Sequence, residues 1–326
     1  YLISIFLLIK KQSDLTIYIL LFSTMTLLTN LSLWFNLKKI INKPKQIEVK
    51  KHLKLVLYFF IPQVATVIYT ILDKTMLGLL GNDIKQVSFY EQTSYIVKTI
   101  LIIITLTNSI MISKISYAFQ NNHKEKISNY LKKIINFIWF IGVPITFGVC
   151  AIIKNFVPWF YGKEYITVIN LTYTMSPIII IISLNNLIGI QFLVSTKNQN
   201  KYILAIVIGA ITNLILNLIL IPYLGPIGAT ISTVIAELTI LFIELYYFKK
   251  IIPNINILKD SIKYIRFGMI MFLFSYLSGN IFGPTIYGTL FQILIGGCIY
   301  IILLYISKDK FLFECITKLK KIVNMK

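Results

Sequence analysis

Asp73, Lys74, Lys98 and Glu237 lie inside long apolar runs rather than between them. An ionisable side chain held in hydrocarbon costs several kcal/mol unless it lines a polar path or meets a partner, so charges placed there usually handle a substrate or an ion. Uncharged polar residues recur around them at helical spacing. Gln63, Thr66, Thr70 and Asp73 are three, four and three positions apart, which puts them on one helix face, with Lys74 one position round. Ser94, Lys98, Thr105 and Asn108 repeat the idea, Asn213 and Asn217 stand at i and i+4, and Thr230, Thr233, Glu237 and Glu244 make a fourth stripe.

Four such stripes facing one another would line a hydrated cavity. For the hydroxyls and amides the competing reading is hydrogen bonding between helices, worth about 1 kcal/mol each in any membrane bundle. For the charges, Asp73 is placed to pair statically with Lys74 or Lys98, or the two lysines meet an anionic substrate. Glu244 lies close enough to Lys249 and Lys250 to snorkel towards them.

The elements that must carry these residues are membrane-spanning helices. Hydrophobic residues make up 57% of the chain and charged residues 13%, against about a quarter charged in an ordinary globular domain, so the composition is that of an all-α polytopic membrane protein. Apolar runs long enough to cross a bilayer cover residues 15–37, 53–80, 92–113, 134–153, 168–194, 202–221, 226–247, 264–282 and 286–306. A tenth, Tyr1 to Ile9, rises roughly 13 Å as a helix, less than half of a hydrocarbon core of about 30 Å. This opening segment reads as the end of a longer helix, and it lacks the basic leader and cleavage site of a signal peptide. Pro62, Pro144 and Pro177 predict bends within spans, and Gly162, Gly225 and Gly228 predict tight turns.

The net charge of +20 follows the membrane and does not call for nucleic acid. Lys38, Lys39, Lys43, Lys45, Lys50, Lys51 and Lys54 form one basic stretch, and Lys114 to Lys133, Lys197 with Lys201, Lys249 to Arg266 and the tail from Lys308 form the others. These regions fall in alternate loops, whereas the loops Pro222 to Pro226 and Gly279 to Tyr287 carry no positive charge, which predicts a cell-membrane protein with the tail in the cytoplasm. Cys150, Cys298 and Cys315 have no metal-ligand spacing, and His52 and His123 sit in basic loops, so neither a metal nor a cofactor is expected. The opposite loops are short and hold no Asp, Glu or His cluster, and the chain has no GxxxxGK[ST] phosphate loop; a catalytic role and ATP hydrolysis are therefore not expected.

Leu72 to Gly81 (LDKTMLGLLG) and Phe89 to Gln92 (FYEQ) resemble the Wzx-type polysaccharide flippases of the multidrug/oligosaccharidyl-lipid/polysaccharide exporter superfamily. Lys197 to Glu237 resembles that family's helix with two Asn, its Ile-Pro turn and its Gly-Ala helix start. The chain departs from the pattern at Tyr95, Ile100 and Ser113. The resemblance implies a two-lobe helical bundle of fourteen helices, of which this chain would hold about ten. Residues 1–37 would end the first lobe, 38–52 form a basic cytoplasmic linker, 53–247 the second six-helix lobe, 248–263 a basic loop, 264–306 two additional helices and 307–326 the cytoplasmic tail.

The activity so implied is translocation of an undecaprenyl-diphosphate-linked oligosaccharide between membrane leaflets for a surface polysaccharide, a capsule or exopolysaccharide for instance, with polysaccharide polymerase and glycosyltransferases as partners alongside membrane lipids. Lys74 and Lys98 would carry positive charge for the diphosphate, with Asp73, Glu237, Gln63, Asn213 and Asn217 completing the substrate path. Two other readings stay open: a cation-coupled drug exporter of the same fold, and a membrane scaffold for glycan assembly.

Overall fold

The computed structural model describes residues 2–11, 14–37, 49–81, 83–105 and 108–323. These residues form two compact units, one up to Tyr58 and one from Phe59 onwards. In the first unit, α1 (Leu2–Leu8) precedes α2 (Leu15–Leu37). On α2 the hydroxyls of Thr24, Thr26, Thr29 and Ser32 donate to carbonyls of their own helix at 2.7–2.8 Å. Bonded in this way, the hydroxyls leave no open donor, so the helix suits a hydrocarbon surround. The linker lysines Lys38, Lys39, Lys43 and Lys45 lie outside the described residues.

The helix α3 (Val49–Leu80) connects the units and begins four residues before the expected span. The second unit continues with α4 (Lys85–Thr105) and α5 (Asn108–Gln120), a pair bent by 46°. It then holds α6 (Lys124–Phe160), α7 (Thr167–Met175), α8 (Ile178–Asn185), a π-helical run over Asn186–Val194, α9 (Gln199–Leu224), α10 (Pro226–Ile251), α11 (Ser261–Phe282), α12 (Ile286–Ile306) and α13 (Lys310–Val323). Among the described residues, seven helices are long and apolar enough to cross a membrane, or eight if the bent pair counts as one span.

Several boundaries differ from the sequence reading for physical reasons. The expected span 134–153 is the middle of one 37-residue helix, and Pro144 and Pro158 both lie inside it without ending it. Pro177 does end a helix: it separates α7 from α8, where the freed backbone groups fall in a turn. The basic loop after α10 is shorter than expected and is partly buried, because Trp139 Nε1 donates to the Ile257 carbonyl at 2.8 Å. The tail contains α13. Gly228 lies within α10, where a Cβ would run into the backbone of Leu220; its role is close approach to α9 rather than a turn.

The turns at the two ends of the second unit use different chemistry. At the turns after α6, α9 and α11, Gly162, Gly225 and Gly283 hold positive φ. At the turns after α5, the π-helical run and α12, the left-handed positions are Asn122, Lys197 and Lys308. Each of these three closes its helix with the paired bonds of a Schellman motif; for α12, the Asp309 amide donates to Leu304 at 3.0 Å and the Lys308 amide to Tyr305 at 3.1 Å. The basic turns thus alternate along the chain with the glycine turns, as an up-and-down bundle requires.

The last helix pair is fastened to α6 by polar groups. Asn155 donates to the Gly279 carbonyl at 2.8 Å, Trp159 to Thr289 at 2.8 Å, and Ser275 on α11 to the Gln292 carbonyl on α12 at 2.9 Å. Such bonds hold helices together where lipid offers no hydrophobic driving force between them.

Candidate functional site

A cavity of about 520 Å³ lies within the second unit, and its walls come from α3, α4, α7, α8, the π-helical run, α9 and α10. Three of the four polar stripes read from the sequence reach it: Thr66, Thr70, Asp73 and Lys74 from α3, Ser94 and Lys98 from α4, and Thr233, Glu237 and Glu244 from α10. Asn213 and Asn217, also fully buried, stand behind the wall and contact it through Asp73. The Gln63 and Asn108 side chains lie outside the described residues. Thr105 turns back to donate to its own helix at Leu101, and Thr230 does the same to Pro226.

Asp73 does not pair with a lysine. Its carboxylate, 1% exposed, accepts from Tyr90 Oη on α4 at 2.6 Å and from Asn217 Nδ2 on α9 at 2.6 Å, and Thr233 Oγ1 on α10 lies 3.0 Å away. The Asn217 amide also reaches Asn213 Oδ1 at 3.2 Å. One carboxylate therefore ties four helices together through neutral donors, which offset the loss of its hydration. Groups of three or more His, Cys, Asp or Glu suited to a metal do not occur among the described residues.

Lys74 pairs instead with Glu91, the acidic residue of the FYEQ motif, and its ammonium sits 5.9 Å over the Tyr95 ring. Both side chains keep about a third of their surface, 34% and 33%, so solvent screens the pair and leaves it worth less than about 1 kcal/mol. Lys98 lines the same cavity and has no carboxylate at ion-pair distance among the described residues. It is the cavity cation open to a ligand.

Glu237, 6% exposed, accepts from Asn185 Nδ2 at 2.8 Å, and the same amide lies 3.2 Å from the Glu237 carbonyl. Glu244 does not snorkel towards Lys249 and Lys250. Seven residues after Glu237, it returns to the same helix face and points inward, where it is fully buried and its two oxygens have no hydrogen-bond partner among the described residues. Its carboxylate and the Tyr202 ring both lie against Gly189 of the π-helical run, where a Cβ would meet them. From Thr233 to Glu244 the wall extends about 16 Å along α10, with Glu237 and Ile240 between them, and Ile178 and Ile182 add apolar lining from α8.

The residues that sequence reasoning passed over are Tyr90, Glu91, Asn185 and Tyr202. Tyr90 and Glu91 were present as motif letters, and each lies 17 residues beyond its partner on α3. That separation is what a tight turn between two antiparallel helices produces, so it was available as a signal. Asn185, beside Asn186, and Tyr202, directly after the basic run Lys197 to Lys201, have no spacing that links them to Glu237 or Glu244.

Residues 14–170 match the model of a family described as polysaccharide biosynthesis protein. No curated protein matches the chain significantly. Among solved structures, the chain is similar to the lipid II flippase MurJ in an inward closed conformation, with 22% identity, a TM-score of 0.70, and coverage of 85% of this chain and 59% of that one. It is also similar to a multidrug resistance MATE family transporter of the MOP superfamily in an outward-facing conformation, at 22% identity and TM-score 0.54, over 70% of this chain and 53% of that one. A MOP superfamily transporter from Pyrococcus furiosus, described as having a binding pocket of reverse polarity, aligns at 20% identity and TM-score 0.53, over 77% of this chain and 61% of that one. The chain thus spans a little more than half the length of these structures. The chain shares the fold of these transporters, and its residues 14–170 match the model of the polysaccharide biosynthesis protein family.

Proposed function

We propose that this chain is the larger part of a flippase that moves a lipid-linked oligosaccharide across the cytoplasmic membrane. The observation that carries the reading is Lys98, an ammonium in the cavity wall without a carboxylate partner among the described residues. A diphosphate head group needs positive charge along its path, and a lysine supplies a mobile point charge that binds without holding rigidly. Lys74 is a second such charge held in reserve by Glu91, a pair weak enough to exchange for phosphate. The match to the polysaccharide biosynthesis family supports the same substrate class.

In this reading residues 53–247 are the second lobe, α11 and α12 are the additional pair, and the basic turns face the cytoplasm. The missing wall of the path belongs to a first lobe. Asp73, Asn213 and Asn217 brace the outer part of the cavity and Glu237 its middle; they serve the path by holding it in shape.

One observation favours the alternative of a cation-coupled exporter: Asp73, Glu237 and Glu244 put carboxylates on the same cavity. The test is export of surface polysaccharide by the whole protein carrying Lys74→Ala and Lys98→Ala, with membrane levels checked. Loss of export with lipid-linked glycan trapped on the inner side is the expected result. Normal export with normal protein levels would overturn the flippase reading and favour the exporter.

A further inference from the structure

The helix α13 follows α12 after only Ser307, Lys308 and Asp309, and its placement is fixed at its first turn. Asp309 is 1% exposed and forms an ion pair with Lys263 of α11. It also accepts from Tyr264 at 3.2 Å and caps α13 by accepting from the Leu312 amide at 2.9 Å. One side of α13 packs on the bundle: Leu312 is buried, Ile316 joins the core, and the Phe311 ring lies 5.1 Å from that of Phe140.

The opposite side is ordered by its spacing. Lys310, Phe313, Thr317 and Lys320 are separated by three, four and three residues, so they form one stripe, and all four are exposed. The direction of that stripe is set by Tyr305, which is 61% exposed on the membrane-spanning α12 and whose ring lies 5.6 Å from that of Phe313. An exposed tyrosine at the end of a membrane span marks the level of the lipid head groups. Phe313 in contact with it lies at the same level, and Lys310 and Lys320 flank it on the same stripe.

We propose that this edge of α13 is a binding site for anionic phospholipid, with Phe313 seated at the acyl boundary and the ammonium groups of Lys310 and Lys320 on the phosphates of neighbouring lipids. The chemistry is that of a basic interfacial helix, in which apolar contact gives depth and lysines give preference for negative head groups. The lock at Asp309 supplies what a free tail would lack: the lysines are held at the surface before any lipid arrives.

The test is hydrogen exchange of the 310–323 amides in the purified chain reconstituted into nanodiscs of phosphatidylglycerol and, separately, of phosphatidylcholine. Attraction of two lysines to an anionic surface predicts exchange roughly thirty-fold slower in phosphatidylglycerol. Lys310→Gln with Lys320→Gln should erase that difference while leaving exchange in α11 unchanged. Lys318→Gln, on another face of the helix, should preserve it. Equal exchange in the two lipids, or a difference that survives the double substitution, would overturn the site, as would protection that depends on added soluble glycerol phosphate instead of the bilayer.

Discussion

Asn217 donates to Asp73 at 2.6 Å and so joins α9 to α3 across 144 residues of chain. Both groups are buried, and the carboxylate has only neutral donors to replace its water. Replacing Asn217 by Ala should therefore cost about 1–3 kcal/mol, the penalty for a buried acceptor left short of a donor. Thermal unfolding of the purified protein in detergent checks this, and a cycle with Asp73→Ala checks the cause. The two substitutions should be clearly less damaging together than the sum of each alone. Simple additivity would mean that the bond contributes nothing of its own.

Glu91 pairs with Lys74 at the cavity wall, and its removal should release a second cation. A partly exposed pair of this kind is worth about 0.5–1 kcal/mol, so Glu91→Gln should tighten binding of a diphosphate-bearing lipid roughly two- to fivefold. In the unmodified protein, Lys98→Gln should weaken binding more than Lys74→Gln does. Titration with a fluorescent diphosphate lipid reads all three variants. Equal losses for the two lysines would show that Lys74 already engages the ligand.

How much of this arrangement was legible in the sequence can be read from Asp73, Lys98 and Glu244. The helical order and the inward stripes followed from apolar length and period, which local sequence controls. Lys98 was found because a lone lysine in an apolar run is visible whatever surrounds it. Of the two readings open for Asp73, a lysine partner was the one that charge alone recommends, whereas packing brought Tyr90, Asn217 and Thr233 to it from three other helices. Glu244 was misread for a related reason: nearness along the chain to Lys249 and Lys250 says nothing of rotation about the helix axis, and the period that carries Glu237 inward carries Glu244 with it. Tyr202 and Gly189 shape the end of the cavity through contacts that no spacing encodes.

Gly228 and Gly189 should respond differently to a methyl group. At Gly228 the added Cβ would meet the Leu220 carbonyl and the Ile221 amide, which belong to backbone that cannot step aside. At Gly189 it would meet the Glu244 carboxylate and the Tyr202 ring, side chains that can shift at the expense of the cavity. Gly228→Ala should fall at the upper end of the roughly 1–3 kcal/mol that overpacking costs, and Gly189→Ala at the lower end. Melting temperatures in one detergent decide the order, and a milder effect at Gly228 would place slack between α9 and α10 that the structure lacks.

The alternation of basic turns with glycine turns makes orientation a measurable consequence of charge. Asn121 is exposed beside the left-handed Asn122, and Tyr287 is exposed next to the Gly283 turn, so the two mark opposite ends of the bundle. Lysines near the first end and their absence at the second predict that Asn121 faces the cytoplasm and Tyr287 the outside. In a cysteine-free background, with Cys150, Cys298 and Cys315 replaced, Tyr287→Cys should react with an impermeant maleimide in intact cells. Asn121→Cys should react only after the membrane is opened. The reverse pattern would invert the protein and place Lys310 and Lys320 against the outer leaflet, whereas reaction of both sites in intact cells would mean that the two turns do not lie on opposite sides and that the up-and-down reading of the bundle fails.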